Sequence, residues 1–404
     1  MDLRDVVIVD TLRTAVGKFG GGLASIGADE LAAHVIKEIV RRNEIDPEII
    51  DLCVLGNVDN HSNAPNLGRL ALLHAKLPYS VPGYTVEHQC ASGVAAINVA
   101  YMHIATGNAD IALAGGAENM SNLPYWIDGA RKGFRLDNIG LSLNCEFMET
   151  ARRVCGPDFY PNLNMGQTAE NLAEEYNISR QEQDEFALRS QTLAAAAQKS
   201  GRFKEEIMPL EVKNRGGIEV FDKDEHPRPG TTLEKLGNLK PAFKKGGTVT
   251  AGNSSGLNDA GAVVLMMSRA KAMDLGLRPL VSVGKHCNVG VDPSIMGIAP
   301  AFALRKLFKM AGTSFDDYGL YEINEAFAAQ CLAVFRELKL NAQQLEKVNV
   351  NGGAIALGHP LGASGTRLAI TMIHEMQRRK VEKGVVSLCC GGGTGIATEF
   401  ILEK

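Results

Sequence analysis

Cys90 stands in Gln89-Cys90-Ala91-Ser92-Gly93, at the end of a strand-like run and directly before a helix opened by small residues. At such a turn the free N–H groups and the positive end of the helix dipole favour a thiolate. The small neighbours leave the sulfur approachable, so the pattern points to a nucleophile. A buried structural thiol is the competing reading, since that is the commoner fate of cysteine. His359 lies in the run 351–365, too rich in Gly to read as a packed helix. An imidazole on such a loop could take a thiol proton or donate to a developing oxyanion, and a satisfied surface His is the alternative. Cys389 closes a strand just before Gly391-Gly392-Gly393, where N–H groups can face a cleft and a thiol beside them can act as acid and base. Asn324, in Asn324-Glu325-Ala326-Phe327-Ala328, follows another strand and is either a helix N-cap or the holder of a water that donates to an oxyanion.

These residues must be delivered by two similar units. Residues 83–120 read as strand, sharp turn, Ala/Ile-rich helix to about residue 107, then a buried strand over 109–114 ending in Gly115-Gly116. The same order returns with Val348-Asn349-Val350, a helix opened by Ala363-Ser364-Gly365, and a strand over 384–388 ending in the Gly391–Gly393 turn. Ala-Ser-Gly, helix, strand and Gly-Gly in both copies indicate an internal duplication. Between them, 121–249 is richer in charge, with one long helical pattern over 169–198 and Pro/His/Gly turn signals over 222–230. We read it as an inserted, substrate-facing region. The strand-like 262–267 then completes the first sheet, which gives three units: 1–120 with 250–275, the insert 121–249, and 276–404.

Composition bounds the class. A chain of 404 residues with 45% hydrophobic and 22% charged residues and 43 Gly is a folded α/β chain of more than one core. Net charge is −4 and no stretch concentrates Lys or Arg, so nucleic acid is not an expected partner. No apolar run reaches the roughly 20 residues of a membrane span, and no leader-like segment opens the chain, so a cytoplasmic protein without a membrane partner is expected. Eight cysteines without a CxxC pair or zinc-ligand spacing predict free thiols, with no metal and no tightly bound cofactor.

Cys90-Ala91-Ser92-Gly93, Asn324-Glu325-Ala326-Phe327-Ala328, the run around Gly358-His359-Pro360 and Cys389 before three glycines together resemble the four catalytic loops of the thiolase family, in the family's order. Arg13-Thr14-Ala15-Val16-Gly17, the segment 114–120 and the segment 250–256 are similar to thiolases as well, so the resemblance spans nearly the whole chain. It implies a five-layered αβαβα fold of two similar halves with an inserted loop domain that binds coenzyme A, which is substrate and product rather than a cofactor. It implies that Cys90 takes an acyl group with His359 assisting, and that Cys389 removes a proton from a second acyl-CoA. One oxyanion hole would use the N–H groups of Cys90 and Gly391, the other His359 with an Asn324-bound water. Coenzyme A would run past Arg228, Phe243, Ser255, Ala326 and Phe327, with Met165 facing the acyl group. The expected reaction is the reversible Claisen condensation of two acetyl-CoA, with a longer-chain 3-ketoacyl-CoA thiolase as the alternative. Further rivals are a ketoacyl synthase and a non-catalytic acyl-CoA-binding protein. A homodimer or homotetramer is implied. Two departures from the family stand out: Asn164 replaces the His of many acetoacetyl-CoA-forming members, and Cys390 adds a vicinal thiol where an aliphatic residue is usual.

Overall fold

The structure, a computed structural model, describes residues 3–59, 64–125, 153–156, 160, 163–214 and 217–404. Much of the insert's first part, 126–152, and Cys145 with it, therefore lie outside the described residues. The first half consists of β1 (Val6–Thr14), β2 (Gly17–Lys18), α1 (Ala28–Arg42), β3 (Leu52–Gly56), α2 (Leu67–His74), β4 (Gly83–Val86), α3 (Ser92–Ala105) and β5 (Ile111–Asn119). The insert contributes α4 (Met165–Glu175), α5 (Arg180–Lys199), β6 (Ile207–Met208), the hairpin β7 (Leu210–Asn214) with β8 (Gly217–Phe221), and α6 (Leu233–Gly237). Then follow β9 (Asn258–Ser268), α7 (Arg269–Asp274), β10 (Val281–Gly290), α8 (Ala299–Ala311), β11 (Leu320–Ile323), α9 (Ala328–Leu338), α10 (Ala342–Leu345), α11 (Ala354–Leu357), α12 (Leu361–Arg379), β12 (Lys383–Cys390) and β13 (Thr394–Leu402).

Strand order makes the duplication explicit. In the first half it runs β4-β3-β5-β9-β1, with β4, β3 and β5 parallel and the last two joins antiparallel. In the second, Val348 pairs in parallel with Tyr321 of β11, β11 pairs in parallel with β12, and β13 and β10 follow antiparallel. Order and direction are the same. The two sheets touch edgewise through Val7↔Ser282 and Ile8↔Val281, so hydrogen bonding runs through eleven strands.

Alternation along the strands explains the layers. Val54 and Ala114 face inward to α3 and α12, whereas Cys53, Leu55 and Leu113 face α1 and α2 on the outside. Tyr321 and Ile323 face α8 and α9 in the same way. Sheets covered on both faces need near-continuous apolar strands, which is what 262–267 supplies in β9. The result is the expected αβαβα stack, with α3 and α12 as its middle layer.

Several sequence expectations are corrected. The helical pattern over 169–198 is two helices, broken where Asn177 takes φ +52° and Ser179 caps α5 in a reciprocal capping box with Glu182. Gly115-Gly116 does not end its strand: β5 continues to Asn119. The two glycines instead admit the Ala262 and Gly362 carbonyls, which a Cβ would strike. The Gly-rich run 351–365 holds the helical turn α11, and α12 opens two residues earlier than its Ala-Ser-Gly. Arg13 ties the insert to β1, its buried guanidinium donating to Glu206 at 2.6 and 3.0 Å and to Asp224 at 2.7 and 3.0 Å. Among the described residues no helix is long and apolar enough to cross a membrane.

Candidate active site

Loops of both halves come together at the carboxyl ends of their parallel strands, where Gly391 and Cys389 of one half meet Cys90 of the other. Cys90 sits in a single 3-10 turn, Gln89–Ala91, between β4 and α3. Gln89 is forced to φ +47°, and Ser92 Oγ locks the turn by accepting from His88 N at 2.8 Å and donating to Gln89 O at 2.7 Å. Six of the seven described cysteines are buried, and Cys90 alone among them is partly exposed. That contrast separates it from the structural thiols. The expectation of a lowered thiol pKa is reversed, however. Burial pushes Cys90 up to about 12, with Glu118 and Glu87 adding to the rise, and the N–H groups of Gly391 and of Cys90 itself pull only part of the way back. The resting thiol is neutral, so a base has to take its proton.

His359 is fixed by its backbone and by its ring. Its backbone N–H donates to Asn258 Oδ1 at 2.9 Å, and Gly358 before it takes φ +95°, where a side chain would strike the Asn258 amide. Ser364 Oγ lies 2.6 Å from His359 Nδ1 and donates its single proton to Pro360 O at 2.9 Å. Nδ1 must therefore carry the ring proton, which leaves Nε2 with its lone pair. Asn324 Nδ2 reaches that Nε2 at 3.3 Å. Burial, with Arg367 adding to it, lowers His359 to about 3, so the imidazole is neutral. Asn324 is not a helix cap: α9 begins at Ala328 with Phe327 before it, and the Asn324 side chain turns to the imidazole instead.

Cys389 is the last residue but one of β12. Burial raises its thiol, and a charge on Cys90 raises it further, which marks the two sulfurs as near neighbours. Gly391 presents its N–H to the Cys90 sulfur. Cys390, buried, feels both thiols. Glu325 holds the approach to His359, accepting from Ser190 Oγ at 2.6 Å, Asn349 Nδ2 at 2.9 Å and Ile355 N at 3.3 Å.

The residues expected to line the path of a thioester ligand form a continuous wall. Met165 Sδ lies 3.5 Å from where a Cβ on Gly391 would stand, next to Gly166, whose Cα packs on the Phe243 ring. Phe243 meets Phe327 edge-on at 5.9 Å, and Ser255 N donates to Ala326 O at 3.0 Å. Arg228 stands in an adjoining cleft with His226, Lys235 and Leu239. Burial and the Arg228 charge lower His226 to about 4. Sequence reasoning missed these three, together with Ser364 and Asn258. Ser364 alone carried a signal, as the central residue of the repeated Ala-Ser-Gly. Asn164 caps α4, accepting from Gln167 N at 3.0 Å, so its side chain is committed to the helix end.

A thiol met by N–H donors, a second thiol beside it and a neutral imidazole with Nε2 as an acceptor form an arrangement able to support cysteine-based group transfer. The family described as "Thiolase, N-terminal domain" matches residues 6–270, and "Thiolase, C-terminal domain" matches 277–403. The chain is 48% identical over 396 residues to an acetyl-CoA acetyltransferase of Cupriavidus necator, covering 98% of each. An acetyl-CoA acetyltransferase structure from Bacillus anthracis superposes with TM-score 0.94 at 46% identity, and human mitochondrial 3-ketoacyl-CoA thiolase with 0.94 at 40%, each over 100% of both chains. The same human enzyme in complex with CoA superposes with TM-score 0.92. The chain belongs to the thiolase family.

Proposed function

We propose that this protein is an acyl-CoA C-acyltransferase that joins two acetyl-CoA into acetoacetyl-CoA and free CoA, reversibly, through an acetyl thioester on Cys90. The observation that carries this reading is the His359 tautomer fixed by Ser364, which leaves Nε2 an acceptor facing Asn324 Nδ2 at 3.3 Å, on a loop whose Leu361 packs in one cluster with Cys90.

In the proposed cycle the Cys90 proton passes to His359 Nε2 as sulfur attacks the acetyl carbonyl. The new Nε2–H, from which the Asn324 amide turns away to hold a water, donates to the oxyanion together with that Asn324-bound water. Coenzyme A departs with the proton of Cys389, which leaves a thiolate there. That thiolate removes an α-proton from the second acetyl-CoA, and the enolate attacks the acetyl group on Cys90. The N–H groups of Cys90 and Gly391 supply the other oxyanion hole. Cys90 leaves as thiolate and regains the proton held on His359, so every proton and bond is returned. Coenzyme A lies along Arg228, Phe243, Ser255, Ala326 and Phe327, with Met165 facing the acyl group.

The acetyl preference is supported by the similarity to enzymes named acetyl-CoA acetyltransferase and by the close approach of Val154, Gln89 and Met165 to Gly391. The similarity to a 3-ketoacyl-CoA thiolase keeps a longer-chain preference as the second reading. The acting unit is a homo-oligomer, dimer or tetramer, a reading supported by β4 lying at the edge of the sheet order with half-buried residues. Thiolysis of 3-ketoacyl-CoA substrates across chain lengths tests the preference. Highest kcat/KM on acetoacetyl-CoA is expected, and a marked preference for long chains would replace the acetyl reading with the second one.

A further inference from the structure

The duplication assigns counterparts to the catalytic loops. On β11 and β12, Ile323 pairs with Ser387, and one residue beyond Ile323 and two beyond Ser387 stand Asn324 and Cys389. On β3 and β5, Gly56 pairs with Gly116, and the same steps lead to Asn57 and Glu118. The first half thus carries an Asn and a carboxylate where the second carries an Asn and a thiol.

Glu118 is buried and receives four N–H groups. Its Oε1 accepts from Asn57 Nδ2 at 2.6 Å and Asp59 N at 3.3 Å, and its Oε2 from Val58 N at 3.0 Å and Gly362 N at 2.7 Å. The last bond crosses between the halves. Gly362 is in the first turn of α12, whose N-cap is Pro360 with no side-chain cap of its own. Glu118 therefore supplies the missing cap from the other half, while burial and the nearby Asp59 hold its carboxyl well above the usual carboxylate range. Its two Oε2 bonds end close to Cys90, since Val58, one partner, and Leu361, next to the other, share an apolar cluster with Cys90. His359 is three residues before Gly362.

We propose that Glu118 is a positioning residue for acyl transfer, which by holding Gly362 across the boundary fixes where the His359 loop stands relative to Cys90. The inference rests on the function proposed above. A Glu118→Gln variant tests it, because each carboxylate oxygen accepts two N–H groups and an amide must turn N–H against N–H on one side. Expected is a fall in kcat on the order of 10- to 100-fold with KM for acetyl-CoA within about threefold, since a displaced loop costs rate rather than binding. A purely structural role would slow the second readout along with the first. Alkylation by iodoacetamide makes no use of the His359 loop, so Glu118→Gln is expected to alkylate Cys90 at the parent's rate at neutral pH while its acetylation by acetyl-CoA slows.

A kcat within about twofold of the parent, or alkylation and acetylation falling together, would overturn the proposal. Should Glu118→Gln not fold, Asn57→Ala removes the 2.6 Å bond to Glu118, together with a 3.1 Å bond to Ala117 O, and is expected to lower kcat by roughly threefold to tenfold at unchanged KM. An unchanged kcat there overturns the proposal equally. Failure of the underlying function is distinguishable, because it would appear as an unmodified Cys90 in the parent protein itself.

Discussion

Gly93 and Gly365, the third residues of the two Ala-Ser-Gly motifs, face one another where α3 crosses α12. A Cβ on Gly93 would stand 2.6 Å from Thr366 Oγ1, and one on Gly365 would stand 2.5 Å from Val94 N. Each glycine is thus the space into which the other helix fits. The motif looks like a helix opening in each half, but its repetition is an account of the middle layer, in which two helix starts must approach closely enough to bring Cys90 and His359 into one cleft.

Gly365→Ala is therefore expected to destabilise the fold by about 1–3 kcal/mol, the usual cost of overpacking a tight interior, and to lower activity with it. The neighbour is a backbone nitrogen, which cannot swing aside. Urea unfolding monitored by circular dichroism checks this, and a midpoint within error of the parent would count against the close crossing.

Ser364→Ala removes the group that fixes the imidazole proton on Nδ1. The expected result is a fall in kcat of roughly tenfold or more, with the KM for acetyl-CoA little changed, because the base is lost from its correct tautomer for part of the time. Ser364→Thr, which retains a hydroxyl, should recover part of the rate.

The direction of the Cys90 and His359 shifts predicts how the free site reacts. Burial holds Cys90 at about 12, above the ordinary 9.0 of a thiol, so its alkylation by iodoacetamide should climb steadily from neutral pH through the ordinary thiol range without levelling. Because His359 is lowered to about 3, no inflection near its ordinary 6.5 is expected in that profile. A plateau below about pH 8 would show a preformed thiolate and contradict the neutral pair.

Chain length should respond at Val154. Its Cγ1 stands 3.0 Å from the Cβ position of Gly391, where Gln89 Oε1 and Met165 Sδ also converge. Val154→Ala opens this wall, and the kcat/KM ratio for a six-carbon over a four-carbon 3-ketoacyl-CoA is expected to rise by roughly tenfold, the usual worth of one or two methylenes in an apolar pocket. An unchanged ratio would place the limit on acyl length elsewhere.

Much of this was legible in the sequence for a physical reason. Strand, sharp turn and helix are local patterns, and the duplication doubled their signal, so the sheets, the two Ala-Ser-Gly helices and the positions of Cys90, His359 and Cys389 could be read directly. What could not be read depends on contacts distant in the chain. Asn324 looked like a cap because Asn often is one, and only the fold brings His359, 35 residues on, to its amide. Glu118 carried no local signal, because its partner Gly362 is 244 positions away. The thiol's shift was misread for a related cause: the helix start argues for a lowered value, but burial, which depends on both halves, outweighs it.

The central claim is that Cys90 carries the acyl group and that Cys389, although it gives its proton to the departing coenzyme A, is indispensable only to the carbon–carbon step. Mass analysis of the Cys90 peptide after exposure of parent and Cys389→Ala proteins to acetyl-CoA tests it most directly, with acetoacetyl-CoA followed alongside. The account predicts acetylated Cys90 in both proteins and acetoacetyl-CoA from the parent alone. An unmodified Cys90 in the parent, or undiminished acetoacetyl-CoA from Cys389→Ala, would contradict it.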